Sequence, residues 1–414
     1  MKYRRRLIED KVVDYWRNFP CVLLAGARQV GKSTLLERLL GKQCTTFVFD
    51  PVQDLYGARQ DPDLFLRNNP PPLILDEIQY APELVPAIKR YLDRQRRAGM
   101  FFVTGSQQWQ VMQRLSESLA GRIAILELPG FNLAEQRGQP EDCWLERWLT
   151  SAPDGLDSGM DALGSMRSEE LSPAQAIWRG SFPEVQTLPE SVVPGWMQGY
   201  LATYLQRDVR LQLELRDETQ FTRFVSLCAA LTAQECNYRQ LGRDISVSGP
   251  TARSWLDVLR GTFQWLELPA FSTNHIKRLS EKAKGHFCDT GLACYLMRLS
   301  SPAAVQGHPA FGSLFESMVV MECYKQLQKL PLIPALYHYR QHGGTEVDLV
   351  IEKDGRMLPV EIKSSSQVRP GDSRPLRLFR EKLGGAVGPG LIVYAGTRIL
   401  KIDDNCLAVP FDLS

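Results

Sequence analysis

A chain of 414 residues, 44% hydrophobic and 23% charged, has the make-up of an ordinary globular protein with room for two or three domains. Its formal charge of +2 excludes attraction to nucleic acid by net charge alone, so any such contact must come from local patches. The nine cysteines form no C-x-x-C pair, which argues against a zinc ribbon or disulfide framework and for a reducing, cytoplasmic setting.

The basic start from Lys2 to Arg6 runs into Glu9, Asp10 and Lys11, where a secretory leader would have its apolar segment. No apolar run approaches membrane-spanning length, so no membrane contact is expected. Between 7 and 19, Ile8, Val12, Val13, Tyr15 and Trp16 recur at helical spacing. A short apolar run then ends at Gly26, helix formers begin at Lys32, and between them stands G-x-x-x-x-G-K-S. Each position of this P-loop pattern has a chemical reason. Gly26 and Gly31 let the backbone curl, so that the N–H groups along Ala27, Arg28, Gln29 and Val30 turn inward on phosphate oxygens. Lys32 brings a point charge to the outer phosphates, and the Ser33 hydroxyl can join a Mg²⁺ shell. Thr34 follows in the first turn of a helix whose positive end faces the same anion.

Residues 45–50 read as the next strand. Residues 73–79 read as another, delivering Asp76 and Glu77 at its C-terminal end, where a parallel sheet presents its site. Following a P-loop, this is Walker B logic: Asp76 holds Mg²⁺, directly or through water, and Glu77 activates the attacking water. A third buried strand, 101–107, ends in a polar tip. There Thr104 or Ser106 either orients water or senses the γ-phosphate, or merely caps the helix expected at 109–115. Arg122 precedes a strand at 123–128 and is a candidate arginine finger, in cis or in trans, against a surface ion pair. Alternating strands and helices imply right-handed crossovers in a parallel sheet.

In this order and spacing, GARQVGKSTLL, LILDEIQ, FVTGSQ and SLAGRIAILEL resemble the prokaryotic AAA-type ATPases. In that group the C-terminal half is a separate domain of long-unknown function, often with a nuclease-like end. The resemblance implies ATP as the nucleotide, and no guanine-reading Asn/Thr-Lys-x-Asp element is present.

Residues 136–175, with Gly, Ser and Asp and little periodicity, read as a flexible insertion or hinge, and 176–218 as a helical connector. In the latter a helix at 196–210 carries the adjacent Arg207 and Asp208, which face apart and suit structural ion pairs. Residues 219–285 read as winged-helix-like. Pro250 sits in the first turn of a third helix, Ala252, Trp255, Leu256 and Leu259 form its buried face, and Arg253, Ser254, Asp257 and Arg260 point outward. Lys277, Arg278, Lys282 and Lys284 follow on a wing or loop and could meet DNA phosphates. The exposed Asp257 favours the rival use, packing or protein contact.

Near the C-terminus two alternating runs flank Asp354-Gly355, a hairpin signal. A two-residue turn there sets Asp348 opposite Glu361 and Glu346 opposite Lys363, all on one face. Opposed carboxylates on a short antiparallel pair lie about 4.5–5.5 Å apart at Cβ and need a cation between them. Mg²⁺ or Mn²⁺ is the expected one, with Lys363 steadying a phosphate charge. A bulge at Pro359 would separate the acids. Asp…Glu-x-Lys on a hairpin resembles the PD-(D/E)XK nuclease core, with Glu316 on an upstream helix as the additional acid and Val347-Asp348 departing from the usual Pro-Asp. An inactive relic of that fold is the rival. Residues 387–394 read as a further core strand, and His338 and His342 as polar surface groups.

The expected architecture is therefore α/β: a P-loop NTPase parallel sheet in 1–135, then the winged-helix-like segment, and a restriction-endonuclease-like α/β domain in 286–414. The expected activity is ATP hydrolysis coupled to a C-terminal half acting on DNA, with nuclease chemistry and a homo-oligomer left open. A non-cleaving, ATP-dependent DNA- or protein-binding switch is the alternative. A small-molecule kinase would leave the second half without a role.

Overall fold

A computed structural model describes residues 3–106, 119–141, 143–152, 155–205, 209, 218–272, 282–341 and 344–413. Helix α1 (Glu9–Asn18) buries Val12 and Trp16 and leads into a five-stranded parallel sheet. Its strands are β1 (Cys21–Ala25), β2 (Thr45–Val48), β3 (Leu73–Asp76), β4 (Phe101–Gly105) and β5 (Ile123–Glu127), in the order β2-β3-β4-β1-β5. Strands β1 and β4 are buried throughout, as continuous apolar runs covered on both faces must be. Helix α2 (Lys32–Leu40) follows β1 directly; α3 (Pro62–Asn68) and α4 (Leu84–Arg94) complete the crossovers. The C-terminal ends of β1, β3 and β4 thus share one edge of the sheet, where Gly26, Asp76 and Thr104 meet. The helix expected at 109–115 lies outside the described residues.

Beyond α5 (Leu133–Arg137), the described residues of the stretch read as a flexible insertion or hinge include helices rather than irregular chain alone. Helices α6 (Trp144–Ser151) and α7 (Leu156–Leu163) pack together, and Trp144 and Trp148 are 1% and 0% exposed. Gly159, whose composition suggested a loop, is a packing residue: a Cβ there would lie 2.5 Å from the Trp148 ring. Helices α8 (Pro173–Arg179) and α9 (Val193–Tyr204) follow. Arg207 and Asp208 lie outside the described residues.

Next come α10 (Glu218–Ala230), β6 (Gln234–Glu235), α11 (Tyr238–Asp244), α12 (Gly249–Gly261), β7 (Trp265–Leu268) and β8 (Lys284–Phe287). The strands form an antiparallel sheet ordered β6-β8-β7. Ser248 caps α12 by accepting from the Thr251 N–H, and Arg253, Ser254, Asp257 and Arg260 are exposed. Lys277 and Arg278 lie outside the described residues. Lys284 is not on a solvated wing: β8 is the central strand and all four of its residues are buried.

After α13 (Thr290–Leu296) and α14 (Pro302–Gln306), helix α15 (Phe311–Leu327) is apolar on nearly every side and runs through the interior. It precedes a six-stranded sheet of β9 (Ala335–Arg340), β10 (Glu346–Lys353), β11 (Arg356–Lys363), β12 (Gly390–Tyr394), β13 (Leu400–Asp403) and β14 (Cys406–Pro410), ordered β13-β14-β12-β11-β10-β9. Helix α16 (Arg374–Leu383) carries the chain from β11 to the parallel β12. Asp354 and Gly355 have φ of 52° and 76°, and the register Lys353↔Arg356 continues to Leu349↔Val360 without a slip at Pro359. The irregularity lies on the other side of β10, between Val347 and Val350. His338 is not a surface group: it is 1% exposed, with Nε2 3.0 Å from the Lys282 carbonyl oxygen. His342 lies outside the described residues.

One apolar cluster runs from Val22 and Leu24 in β1 through Trp148, Trp178, Phe224 and Phe315 to Val409. The second half of the chain is therefore packed onto the five-stranded parallel sheet rather than tethered to it.

Candidate functional site

The apolar β1 drives the chain to the sheet edge, where Gly26 (φ 153°), Gln29 (φ 60°) and Gly31 (φ 94°) curl it back into α2. A Cβ on Gly26 would lie 2.2 Å from the Leu128 carbonyl oxygen, so only glycine fits this approach. Ala27 and Val30 bury their side chains, leaving the loop's backbone to face the site. Lys32 is 5% exposed and folds over the loop, its Nζ donating to the carbonyls of Gly26 (2.9 Å) and Ala27 (2.8 Å). Thr34 stands exposed in the first turn of α2.

Strands β3 and β4 bring the carboxylates to this loop. Ser33 Oγ donates to Asp76 Oδ2 at 2.6 Å, and the Thr104 hydroxyl donates to the other oxygen of Asp76. The Glu77 N–H donates to Thr104 Oγ1 at 3.1 Å, so one threonine spaces both acids. Glu77 has φ 58°, which turns its side chain out of β3. Gln79 Nε2 donates to the Glu77 carboxylate and, at 3.1 Å, to Ser106 Oγ. Arg28 donates to the Tyr80 hydroxyl at 2.7 Å with its guanidinium 4.0 Å from Glu77 Oε1. A glycine-curled loop, an ammonium, a hydroxyl–carboxylate pair and a second acid form a set suited to a polyphosphate and Mg²⁺.

Arg122 does not join this set. The registers Cys21↔Ile123 and Ala25↔Glu127 put it at the opposite edge of the sheet, roughly 20 Å of strand from the loop. Its guanidinium pairs with Asp93 at 2.5 Å. A finger in cis is thereby overturned.

Arg6, which local pattern could not single out, supports the loop from behind. It is 4% exposed, donates to the carbonyls of Val30 (2.8 Å) and Pro129 (2.6 Å), and pairs with Glu135 at 3.0 Å. Helix α15 holds the same region from the C-terminal side. Glu322 accepts from the Leu133 N–H at 3.0 Å, Lys325 donates to the Phe131 carbonyl at 3.2 Å, and Tyr324 donates to Glu127 at 2.8 Å. Between them lies a cavity of about 220 Å³ lined by Ala27, Val30, Glu127, Phe182, Trp265 and Tyr324.

Burial pushes the Glu127 carboxyl up to about 7, the Tyr324 hydroxyl partly opposing it. A raised carboxyl pKa stabilises the fold fully below the unfolded value of 4.5, and that stability is lost as pH rises through about 7. Glu127→Gln keeps an acceptor for Tyr324 and removes the titration. The fall in melting temperature from pH 5 to pH 8 should be smaller in the variant than in the wild type. Equal falls would show that Glu127 does not carry this pH dependence.

The second constellation lies on the C-terminal sheet. Asp348, Glu361 and Glu316 converge, and Lys363 Nζ donates to Glu361 Oε1 at 2.6 Å. Asp348 Oδ2 accepts from the Ile362 N–H at 2.9 Å. Burial and the neighbouring Asp348 push both Glu316 and Glu361 up to about 8. The cation between the acids is Lys284 of β8, whose Nζ lies 2.6 Å from Glu316, 2.8 Å from Glu346 and 3.3 Å from Asp348. Among the described residues no group of three acidic, histidine or cysteine side chains is arranged to hold a metal ion. Of the expected Mg²⁺ or Mn²⁺ set, Asp348 and Glu316 thus gather round the Lys284 ammonium together with Glu346, while Glu361 pairs with Lys363.

The parallel sheet and its phosphate loop define an AAA-type P-loop ATPase, a protein that binds and hydrolyses ATP. An AAA domain family matches residues 18–136, and two domains of unknown function, DUF8612 and DUF4143, match 172–303 and 311–413. Uncharacterized proteins of Mycobacterium tuberculosis and Mycobacterium bovis are each 31% identical over 395 residues, covering 95% of this chain and 80% of the relative. The chain belongs to the family of these mycobacterial proteins. Among solved structures, a Walker-type ATPase of Pyrococcus abyssi is 17% identical over 72% of this chain and 96% of its own, with a TM-score of 0.40. The Holliday junction branch migration motor RuvB of Thermotoga maritima is 15% identical over 66% and 93%, with a TM-score of 0.30. No helix among the described residues is long and apolar enough to cross a membrane.

Proposed function

We propose that the chain hydrolyses ATP at the P-loop and uses the nucleotide cycle to control DNA binding by its second half. The observation that carries this reading is the linked set Lys32, Ser33, Asp76, Thr104 and Glu77 at one sheet edge, under a second half packed onto the same edge. The loop N–H groups and Lys32 hold the β- and γ-phosphates. Ser33 and Asp76 would hold Mg²⁺, which when bound neutralises phosphate charge. Glu77, steadied by Gln79 and Ser106, takes a proton from water as its oxygen bonds to the γ-phosphorus and the bond to the β-phosphate oxygen breaks, releasing ADP and phosphate. Arg122 can serve only a neighbouring copy.

The order α10, β6, α11, α12, β7, β8 supports a winged-helix reading of the middle. Asp257 and Glu267 already engage Arg260, at 3.2 and 3.5 Å, so DNA contact falls to Arg239, Arg243 and Arg253. The order α15, β9, β10, β11, α16, β12 supports a nuclease-like C-terminal fold. Lys284 among its acids favours the non-cleaving use of that fold.

Retention of duplex DNA on a filter, measured against salt, tests the second half. Changing Arg239, Arg243 and Arg253 together to alanine should weaken retention and reduce the magnitude of the salt slope by about 0.9 per lost phosphate contact, with ATP turnover preserved. Unchanged retention would overturn the DNA reading. Metal-dependent cutting of the retained DNA would restore the nuclease reading.

A further inference from the structure

We propose that Lys284 is the resident cation of the C-terminal acidic site, standing where a divalent metal would stand and fastening β8 to the C-terminal sheet. The inference rests on the nuclease-like reading of that sheet and reverses what that reading implies about metal.

The three carboxylates around Nζ come from two elements, Glu316 from α15 and Glu346 and Asp348 from β10. An ammonium has three N–H donors and no acceptor; Lys284 donates to Glu346 and Asp348, and the Glu316 carboxylate 2.6 Å away adds charge pairing outside hydrogen-bond geometry. The Lys284 side chain is 4% exposed, which leaves it no solvated alternative. Its backbone is pinned on both sides, facing Glu235 in β6 and Leu268 in β7, so β8 cannot withdraw without opening that sheet. A divalent ion entering beside it would set a double charge next to a buried single charge of the same sign, a repulsion that burial strengthens.

The fourth acid is consistent with the same arrangement. Glu361 is 5% exposed and gives one oxygen to Lys363, while its Oε2 is buried without a hydrogen-bond partner. In a metal centre that oxygen would be a ligand.

Removing the ammonium alone should turn the cluster into an all-oxygen site of the kind hard cations prefer. The test is Mn²⁺ binding, read by electron paramagnetic resonance on nucleotide-free full-length chain, in an Asp76→Asn background that removes the P-loop carboxylate. Lys284→Met should gain one Mn²⁺ per chain, bound at least roughly tenfold more tightly than any in the Lys284 chain. Its melting temperature should rise with Mn²⁺ while that of the Lys284 chain stays fixed. Should Lys284→Met not fold alone, because three carboxylates are left buried together, refolding in Mn²⁺ should recover it, and adding Glu316→Gln should weaken that recovery. Mn²⁺ binding by the Lys284 chain that is lost in Asp348→Ala would overturn the proposal. So would a Lys284→Met chain that neither binds Mn²⁺ nor is stabilised by it. Either failure leaves ATP turnover and DNA retention to be judged separately, because neither measurement depends on the cation at this site.

Discussion

Lys32→Ala should nearly abolish ATP turnover, and Glu77→Gln should lower it by about 10²–10⁴-fold while nucleotide still binds. The two losses differ in kind. Lys32 is buried against the carbonyls of Gly26 and Ala27, so alanine removes both the phosphate-facing charge and a tie that shapes the loop. Nucleotide affinity and turnover should therefore fall together. The partners of Glu77 are Gln79, Ser106 and Thr104, with the guanidinium of Arg28 from the loop 4.0 Å away. Glutamine is nearly isosteric and keeps an acceptor toward Gln79, but it cannot take a proton from water. Phosphate release and binding of a fluorescent ATP analogue separate these outcomes. Equal turnover in the wild type and both variants would remove the catalytic assignment, and loss of binding in Glu77→Gln would recast Glu77 as a structural acid.

The parts of the molecule legible in its sequence are those whose chemistry is local. Gly26 to Ser33 are eight consecutive residues, and their types at that spacing have few structural uses. The hairpin register was equally readable, because Asp354 and Gly355 adopt the two positive φ values that fix a two-residue turn. Composition misled in 144–163, where Gly159 lets α7 approach the Trp148 ring and marks packing rather than a loop. Position in the fold misled at Arg122, since a strand has two ends and only topology says which one faces the phosphate loop. Lys284 reads in the sequence as a wing residue for DNA phosphates, and its buried place among the acids could not be read there. It lies 62 residues from Glu346 and 64 from Asp348, and a lysine in a strand before Gly285 and His286 carries no sign of its partners. The acids did predict that something cationic must lie between them. They could not say whether the chain itself supplies it.

Arg6→Ala should destabilise the fold by about 3–5 kcal/mol and weaken ATP binding, although Arg6 is not expected to touch nucleotide. Arg6 and Glu135 are each 4% exposed at the side chain, 129 residues apart in sequence and 3.0 Å apart in space. Glu135 also accepts from the backbone N–H groups of Leu7 (2.6 Å) and Asn132 (3.0 Å), so its carboxylate is fixed in place and cannot turn to water when the guanidinium is gone. The remaining Arg6 donors reach Val30 in the phosphate loop and Pro129 after β5, and the guanidinium lies 4.8 Å from the Phe131 ring centre. One side chain thus joins the N-terminal segment, the loop and the chain leaving the sheet. Lysine cannot replace it, since a single ammonium cannot span these acceptors with the geometry of a planar fork. The charge and loop contributions can be separated with Glu135→Gln. In the double variant Arg6→Ala/Glu135→Gln the buried charge is gone, so denaturant unfolding should recover part of the lost stability. Val30 still lacks its donor, so ATP affinity should stay low. Recovery of both would assign the whole effect to the buried charge, and an Arg6→Ala chain that unfolds and binds ATP like the wild type would show that the loop needs no support from this side.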